Sequence, residues 1–358
     1  MAKGIKREHL LWIGSARGIE KTVSVTAKLA FKTIAVGKFR RYLSIDNLLD
    51  FPKIIIGIRQ SLKILFGYSP SVVIGTGGFV SVPVIVAAYI LRIPIVVHEQ
   101  TIVPGLANRI ASRLASLIIA SHVQSAKDFE ERKTKVIGNP LRMELRKGLE
   151  ARGRSLEHLR LDPNLPVLYV TGGAQGANAL NAVIGEALPE LLSDWQIIHQ
   201  AGNGQMPCGF PELKVLATRL DPTLSDRYRL MPYVGTEIID VLSVADIILS
   251  RSGAAIVNEI IRLGLCSILV PYPQSIGDEQ RHLAQSLEEI DGAIVIEQSL
   301  LTRQRLLSTL QRLGPSQREA MRSRVHSLAN DNIEDKLASA ILEIVGIGGI
   351  PTAVSATT

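Results

Sequence analysis

The chain has 358 residues, 46 % hydrophobic and 20 % charged, an ordinary globular balance that allows about two domains with their own cores and argues against a disordered chain. Its net charge of +7 is unevenly placed: residues 1–150 hold 23 Lys and Arg against 10 Asp and Glu, or +13, and the rest 17 against 23, or −6. An aromatic content of 4 % without helix-turn-helix, zinc-finger or RNA-binding patterns argues against nucleic acid. An anionic membrane surface or a phosphorylated lipid explains the basic half at least as well, and a solvated basic face is the plain alternative. Cys208 and Cys266 are far apart and lack partners at metal-ligand spacing, so both read as free thiols, and no secretory signal opens the sequence. A cytoplasmic protein is expected.

His9 to Ile13 reads as a short strand. Residues 48–66 have helical apolar spacing broken by Lys53, Arg59 and Lys63, which predicts a basic amphipathic surface over 51–66. Residues 72–91 carry no charge, but Gly75, Gly77, Gly78 and Pro83 divide them into strand, turn and helix, so a membrane span is not expected. The next strand, Ile93 to Val97, delivers His98, Glu99, Gln100 and Thr101 at its carboxyl end, where open α/β sheets bind ligands. A helix from Pro104 and strands at 117–120 and 136–137 follow. The charged stretch 143–165 reads as a linker.

Val167 to Val170 is a predicted buried strand that turns through Gly172, Gly173, Ala174, Gln175 and Gly176 into a helix. Such a turn leaves N–H groups at a helix N-terminus available to phosphate, and glycine lets a ligand approach the backbone. A dinucleotide-dehydrogenase site is disfavoured, because G-x-G-x-x-G is absent and His199-Gln200 replaces the acid expected after the following strand. Strands are predicted at 195–199, 228–231, 247–250 and 267–270, alternating with helices near 236–244, 254–263 and 278–289. A last helix over 331–345 precedes a tail, 346–358, expected to be disordered. Two such βαβ series predict an α/β protein of two doubly wound, Rossmann-like domains facing a cleft, with residues 1–142 in the first and 166–330 in the second.

The segments GTGGFVSVP (75–83), HEQ (98–100), PGLANR (104–109), GNPLR (138–142), GGAQGAN (172–178), ADIILSRSGAAIVNE (245–259) and DEQ (278–280), in this order, resemble the MurG family. The similarity covers about residues 8–345. It implies a GT-B fold and transfer of N-acetylglucosamine from UDP-N-acetylglucosamine to an undecaprenyl-diphosphate-linked muramoyl-pentapeptide, lipid I, giving lipid II for peptidoglycan. It also implies a peripheral position on the cytoplasmic face of the inner membrane.

The same resemblance implies donor contacts from Thr101, Arg142, the 172–176 turn, Val234, Ser252, Gly253, Ala254, Ala255, Glu259 and Gln280. Among these, Arg142 would take phosphate, Glu259 the ribose hydroxyls, the Val234 backbone uracil, and Gln280 the sugar. Acceptor contacts would come from Gly77, Gly78, Ser81 and Asn108, and catalysis from His98 and Glu99. No Asp-x-Asp occurs, which argues against a metal-dependent GT-A mechanism; no cofactor is expected.

Three family positions differ, with Thr101, Ala174 and Leu283 in place of Asn, Ser and Asn. The family's first strand and glycine loop have no counterpart, so the first domain is expected to lack its first strand, and the chain either to continue upstream or to transfer poorly. Competing readings are a non-catalytic relative that binds nucleotide sugar, and a GT-B transferase with another lipid-linked acceptor.

Overall fold

The computed structural model describes residues 5–16, 20–37, 45–146, 148–202, 207–330 and 332–346. Residues 1–139 with 332–358 form one compact unit, and residues 140–331 a second. The expected tail lies outside the described residues except for Gly346.

In the first unit β1 (Leu11–Gly14) pairs in parallel with β2 (Ala30–Thr33). A second parallel sheet runs β3 (Val73–Gly75), β4 (Ile95–Glu99), β5 (Leu117–Ala120) and β6 (Thr134–Val136) in that order. No strand joins the two sheets among the described residues, yet Ile13 of β1 packs on the core that holds Val73 of β3. All of β4 and β5 is buried, as expected where helices cover both faces of a parallel sheet. The helix Ile45–Tyr68 packs with the helix Ser81–Ile90, and Gly57 lets it close on the Ala35 carbonyl: a Cβ there would sit 2.4 Å from that oxygen, and 3.3 Å from the Pro83 ring. Residues 72–91 form strand, turn and helix as read from the sequence. The last helix, Ile333–Ile344, returns to this unit and packs Ile333 and Ala340 on Val96, Leu117 and Ile119.

The second unit is one six-stranded parallel sheet in the order β12-β11-β10-β7-β8-β9. Its strands are β7 (Val167–Thr171), β8 (Gln196–Gln200), β9 (Tyr228–Met231), β10 (Ile247–Ser250), β11 (Ser267–Leu269) and β12 (Ile294–Val295). The chain winds outward from β7 in one direction and from β10 in the other. This doubly wound order places the topological switch between β7 and β10, so ligands are expected outside the carboxyl ends of those strands. Residues 143–165 belong to this unit and are not a free joint. Their helix, Arg152–His158, is anchored by Ser155 Oγ donating to Asp240 Oδ1 at 2.8 Å and by Arg152 Nη2 on Asp246 Oδ2 at 2.7 Å. The charge that suggests solvation is spent on these tertiary contacts.

Candidate functional site

Both loops at the switch point are built for close approach. After β7, Gly172 packs so tightly that a Cβ would meet the Ala177 nitrogen at 2.3 Å, and Gly173 and Gly176 have φ of +81° and +82°. Gly173 N donates to Thr171 Oγ1 at 3.0 Å, and Gly176 N to the Gly173 carbonyl at 3.0 Å. The turn delivers the chain into the helix Asn178–Asp194, whose cap, Ala177, offers no side chain to the first-turn N–H groups. These donors and the helix dipole together suit an anion. Ala174 and Gln175 lie within the turn.

After β10, Arg251, Ser252 and Gly253 lead into the helix Ala254–Leu263, which likewise starts without a side-chain cap. Ala254 and Ala255 are its first two residues and add no bulk at the helix mouth. Ser252 is buried, and its hydroxyl donates to the Gln280 carbonyl at 2.7 Å. Gln280 Oε1 accepts from Tyr272 N at 3.0 Å, so this residue ties the 271–280 loop to the mouth of the helix.

Glu259, on the same helix, is buried and meets Arg142 in a two-pronged pair, Nε to Oε1 at 2.6 Å and Nη2 to Oε2 at 3.3 Å. Burial raises the Glu259 pKa, an effect that Arg142 partly offsets. Tyr169, buried on β7, feels both charges, and its phenol pKa is pushed up by desolvation. Val234 is buried, and its N–H is committed to Gln200 Oε1 at 3.0 Å, leaving only the carbonyl of this backbone unit for a base. The geometry therefore brings Arg142, Glu259, the 172–176 turn and the 252–255 segment to one end of one sheet.

Sequence reasoning put Arg251 in a candidate ligand loop, 251–255, without giving it a contact of its own. Its guanidinium donates to the Val270 and Pro271 carbonyls at 3.1 and 3.3 Å and lies over the Tyr272 ring at 5.4 Å from the centroid. Burial lowers its pKa. A lone arginine in a loop motif carries no signal that would reveal these partners in advance.

In the first unit, Glu99 at the end of β4 is 2 % exposed and already saturated. It accepts from Thr101 N at 2.9 Å, Thr101 Oγ1 at 2.5 Å, Gly105 N at 3.1 Å and Asn108 Nδ2 at 2.9 Å. A carboxylate with four donors is an organiser of its loop, and the geometry does not present it as a proton acceptor. Thr101 gives its one hydroxyl proton to Glu99, with the Val103 carbonyl 2.9 Å from the same oxygen, and not to a ligand.

His98 is buried, with Nε2 3.2 Å from Ser121 Oγ. Ser121 donates to Asn139 Oδ1 at 2.8 Å, and Asn139 Nδ2 to the Gln100 carbonyl at 3.0 Å. Desolvation lowers the His98 pKa, against smaller opposing effects of the Gly138 carbonyl and Glu99, so the ring is neutral near pH 7. Gly77 and Gly78 have φ of +96° and +77°, and Ser81 Oγ donates to the Gly78 carbonyl at 2.7 Å. Asn108 is 3 % exposed, and its Oδ1 has no hydrogen-bond partner among the described residues. It lies 3.5 Å from where a Cβ on Gly77 would be, so an unsatisfied acceptor borders this loop. Among the described residues, no group of three His, Cys, Asp or Glu is placed to hold a metal ion, and no helix is long and apolar enough to cross a membrane.

Comparison with known proteins agrees with this architecture. Residues 1–119 match the glycosyltransferase family 28 N-terminal domain and residues 167–337 the family 28 C-terminal domain. A Shouchella clausii protein named UDP-N-acetylglucosamine--N-acetylmuramyl-(pentapeptide) pyrophosphoryl-undecaprenol N-acetylglucosamine transferase is 35 % identical, over 85 % of this chain and 82 % of its own. A Legionella pneumophila protein of the same name is 33 % identical over 93 % and 88 %. Among solved structures, Acinetobacter baumannii MurG superposes with a TM-score of 0.67 at 23 % identity, covering 93 % of this chain and 90 % of that one. A Neisseria meningitidis UDP-GlcNAc 2-epimerase bound to UDP-GlcNAc gives 0.62 at 15 % identity, over 93 % and 91 %.

Proposed function

Because the chain belongs to the MurG family of UDP-N-acetylglucosamine-dependent glycosyltransferases, with the GT-B fold, we propose that it transfers N-acetylglucosamine from UDP-N-acetylglucosamine to lipid I, forming lipid II. The observation that carries this reading is the pairing of Arg142 with Glu259 beside two uncapped helix N-termini at the switch point of the second sheet. That set matches a nucleoside diphosphate: a carboxylate for the ribose diol, and N–H groups and a guanidinium for the phosphates.

In an inverting transfer the acceptor hydroxyl attacks the anomeric carbon while the bond to the UDP oxygen breaks. The hydroxyl proton needs a base, and the departing diphosphate needs neutralisation. The second unit supplies the neutralisation through Arg142 and the helix N-termini. In the first unit Glu99 positions the 99–108 loop, Gly77, Gly78, Ser81 and Asn108 serve the lipid-linked acceptor, and His98, whose Nε2–H is held by Ser121, orients the Ser121–Asn139 chain and is not free to accept a proton in this arrangement. Gln280 and the Val234 carbonyl would complete recognition of sugar and base.

We further propose that it acts peripherally at the cytoplasmic face of the inner membrane. Support comes from the helix Ile45–Tyr68, which exposes Ile55, Ile56 and Phe66 together with Lys53, Arg59 and Lys63. Labelled transfer from UDP-N-acetylglucosamine to lipid I, run beside donor calorimetry, tests the assignment. Product supports it, and donor binding without product favours a non-catalytic relative.

A further inference from the structure

Behind the glycine turn lies a buried polar array that the transfer chemistry does not use. His199, at the end of β8, is completely buried, with Nδ1 2.9 Å from the Tyr228 hydroxyl and Nε2 3.0 Å from Asn181 Oδ1. Asn181 Nδ2 donates to the Ala201 carbonyl at 3.1 Å and the Cys208 carbonyl at 2.8 Å. Asn178 Oδ1 accepts from Cys208 N at 2.8 Å.

Proton inventory gives this array one direction. The Asn181 nitrogen faces two carbonyls, so Oδ1 must be the acceptor and His199 Nε2 must carry the hydrogen. Nδ1 then accepts from Tyr228. Desolvation lowers the His199 pKa to about 3, which keeps the ring neutral over the working pH range.

The output of the array is the Ala201–Gly202 segment that follows β8. Gly202, next to the anchored Ala201, has φ +90° and touches the glycine turn so closely that a Cβ would fall 2.1 Å from Gly176 N and 2.3 Å from Gly176 Cα. The Ala201–Gly202 segment is thus a backstop for the 172–176 turn. We propose that Asn181, oriented by His199 and Tyr228, is a positioning residue that holds the 172–176 turn in its diphosphate-binding shape. The inference rests on the donor-site reading above and adds a specific division: the array serves the diphosphate and not the nucleoside.

The test compares calorimetric affinities for UDP and uridine in the full chain. Asn181→Asp cannot donate to both carbonyls, and it should weaken UDP at least tenfold while changing uridine less than threefold. His199→Gln, whose amide nitrogen can donate in place of Nε2, should keep UDP affinity within about threefold. Independently of any variant, nitrogen NMR of the wild-type His199 ring should show a neutral ring with its proton on Nε2 from pH 5 to 8, and UDP but not uridine should shift its signals. A folded Asn181→Asp protein with UDP affinity within twofold of wild type, or with equal losses for both ligands, would overturn the proposal. So would a ring protonated on Nδ1 or insensitive to UDP. Wild-type protein that binds no UDP at all would instead overturn the donor-site reading, and this inference with it.

Discussion

Arg142 grips both carboxylate oxygens of Glu259, at 2.6 and 3.3 Å, although the glutamate side chain is 3 % exposed and the arginine 41 %. The two groups that a nucleotide sugar would need are therefore bound to each other. A carboxylate has about four lone-pair directions, so Glu259 can still accept ribose hydroxyls while Arg142 turns its remaining N–H groups toward phosphate. The pair also explains how a charged glutamate is tolerated on a buried helix face.

Removing one partner should therefore cost more than removing both. Arg142→Ala should destabilise the second unit by about 2 to 3 kcal/mol, below the range for a wholly enclosed pair because water reaches the arginine. The double variant Arg142→Ala/Glu259→Gln should recover at least about 1 kcal/mol of that loss. Urea melts of the four proteins measure this, and simple additivity would remove the electrostatic argument.

Stability should fall on mild acidification. His98, His122 and His199 all have folded pKa values lowered from 6.5 by burial, His199 to about 3. The unfolded chain then binds more protons than the folded one below pH 6.5. Stability is complete above that value and lost as pH falls, by up to about 1.4 kcal/mol per pH unit for one fully displaced histidine. Chemical denaturation from pH 7.5 to 5 should show this slope, and His199→Gln should flatten it. Glu259 acts with the opposite sign: its raised pKa takes stability away as pH rises through the folded value.

If Glu99 organises its loop, Glu99→Gln should lower stability by about 2 kcal/mol, because an amide nitrogen would face N–H donors now paired with a carboxylate oxygen. The loss should be visible in a melt without any substrate. An unchanged melting temperature combined with abolished transfer would instead restore Glu99 as the proton acceptor.

Membrane attachment should be salt-sensitive. Sedimentation with liposomes should require anionic lipid, weaken as salt rises toward a Debye length of about 8 Å and below, and drop at least tenfold in Phe66→Asp. Binding that resists salt and yields only to detergent would contradict a peripheral contact.

Much of the second unit was legible because parallel strands are continuous apolar runs: the helix Ala254–Leu263 and the strands Tyr228–Met231 and Ile247–Ser250 fall where periodicity put them. Short edge strands escaped. Ala30–Thr33 leaves most of its residues exposed, and Ile294–Val295 is two residues long, so neither carries a burial pattern. Residues 143–165 were misread because charge does not reveal its partner, here Asp240 and Asp246 from more than eighty residues away. Likewise the saturation of Glu99 by its own loop, and the Asn181–His199–Tyr228 array, depend on residues that no spacing rule links.

The initial rate of labelled N-acetylglucosamine transfer to lipid I, measured over a range of UDP-N-acetylglucosamine concentrations in wild type and Glu259→Ala, tests the central claim most directly. Saturable formation of lipid II by the wild type, with kcat/KM at least tenfold lower in the variant, a loss of about 1.4 kcal/mol, is the predicted result. Product formed equally well by both proteins, or UDP bound by the wild type with no product at all, would contradict it.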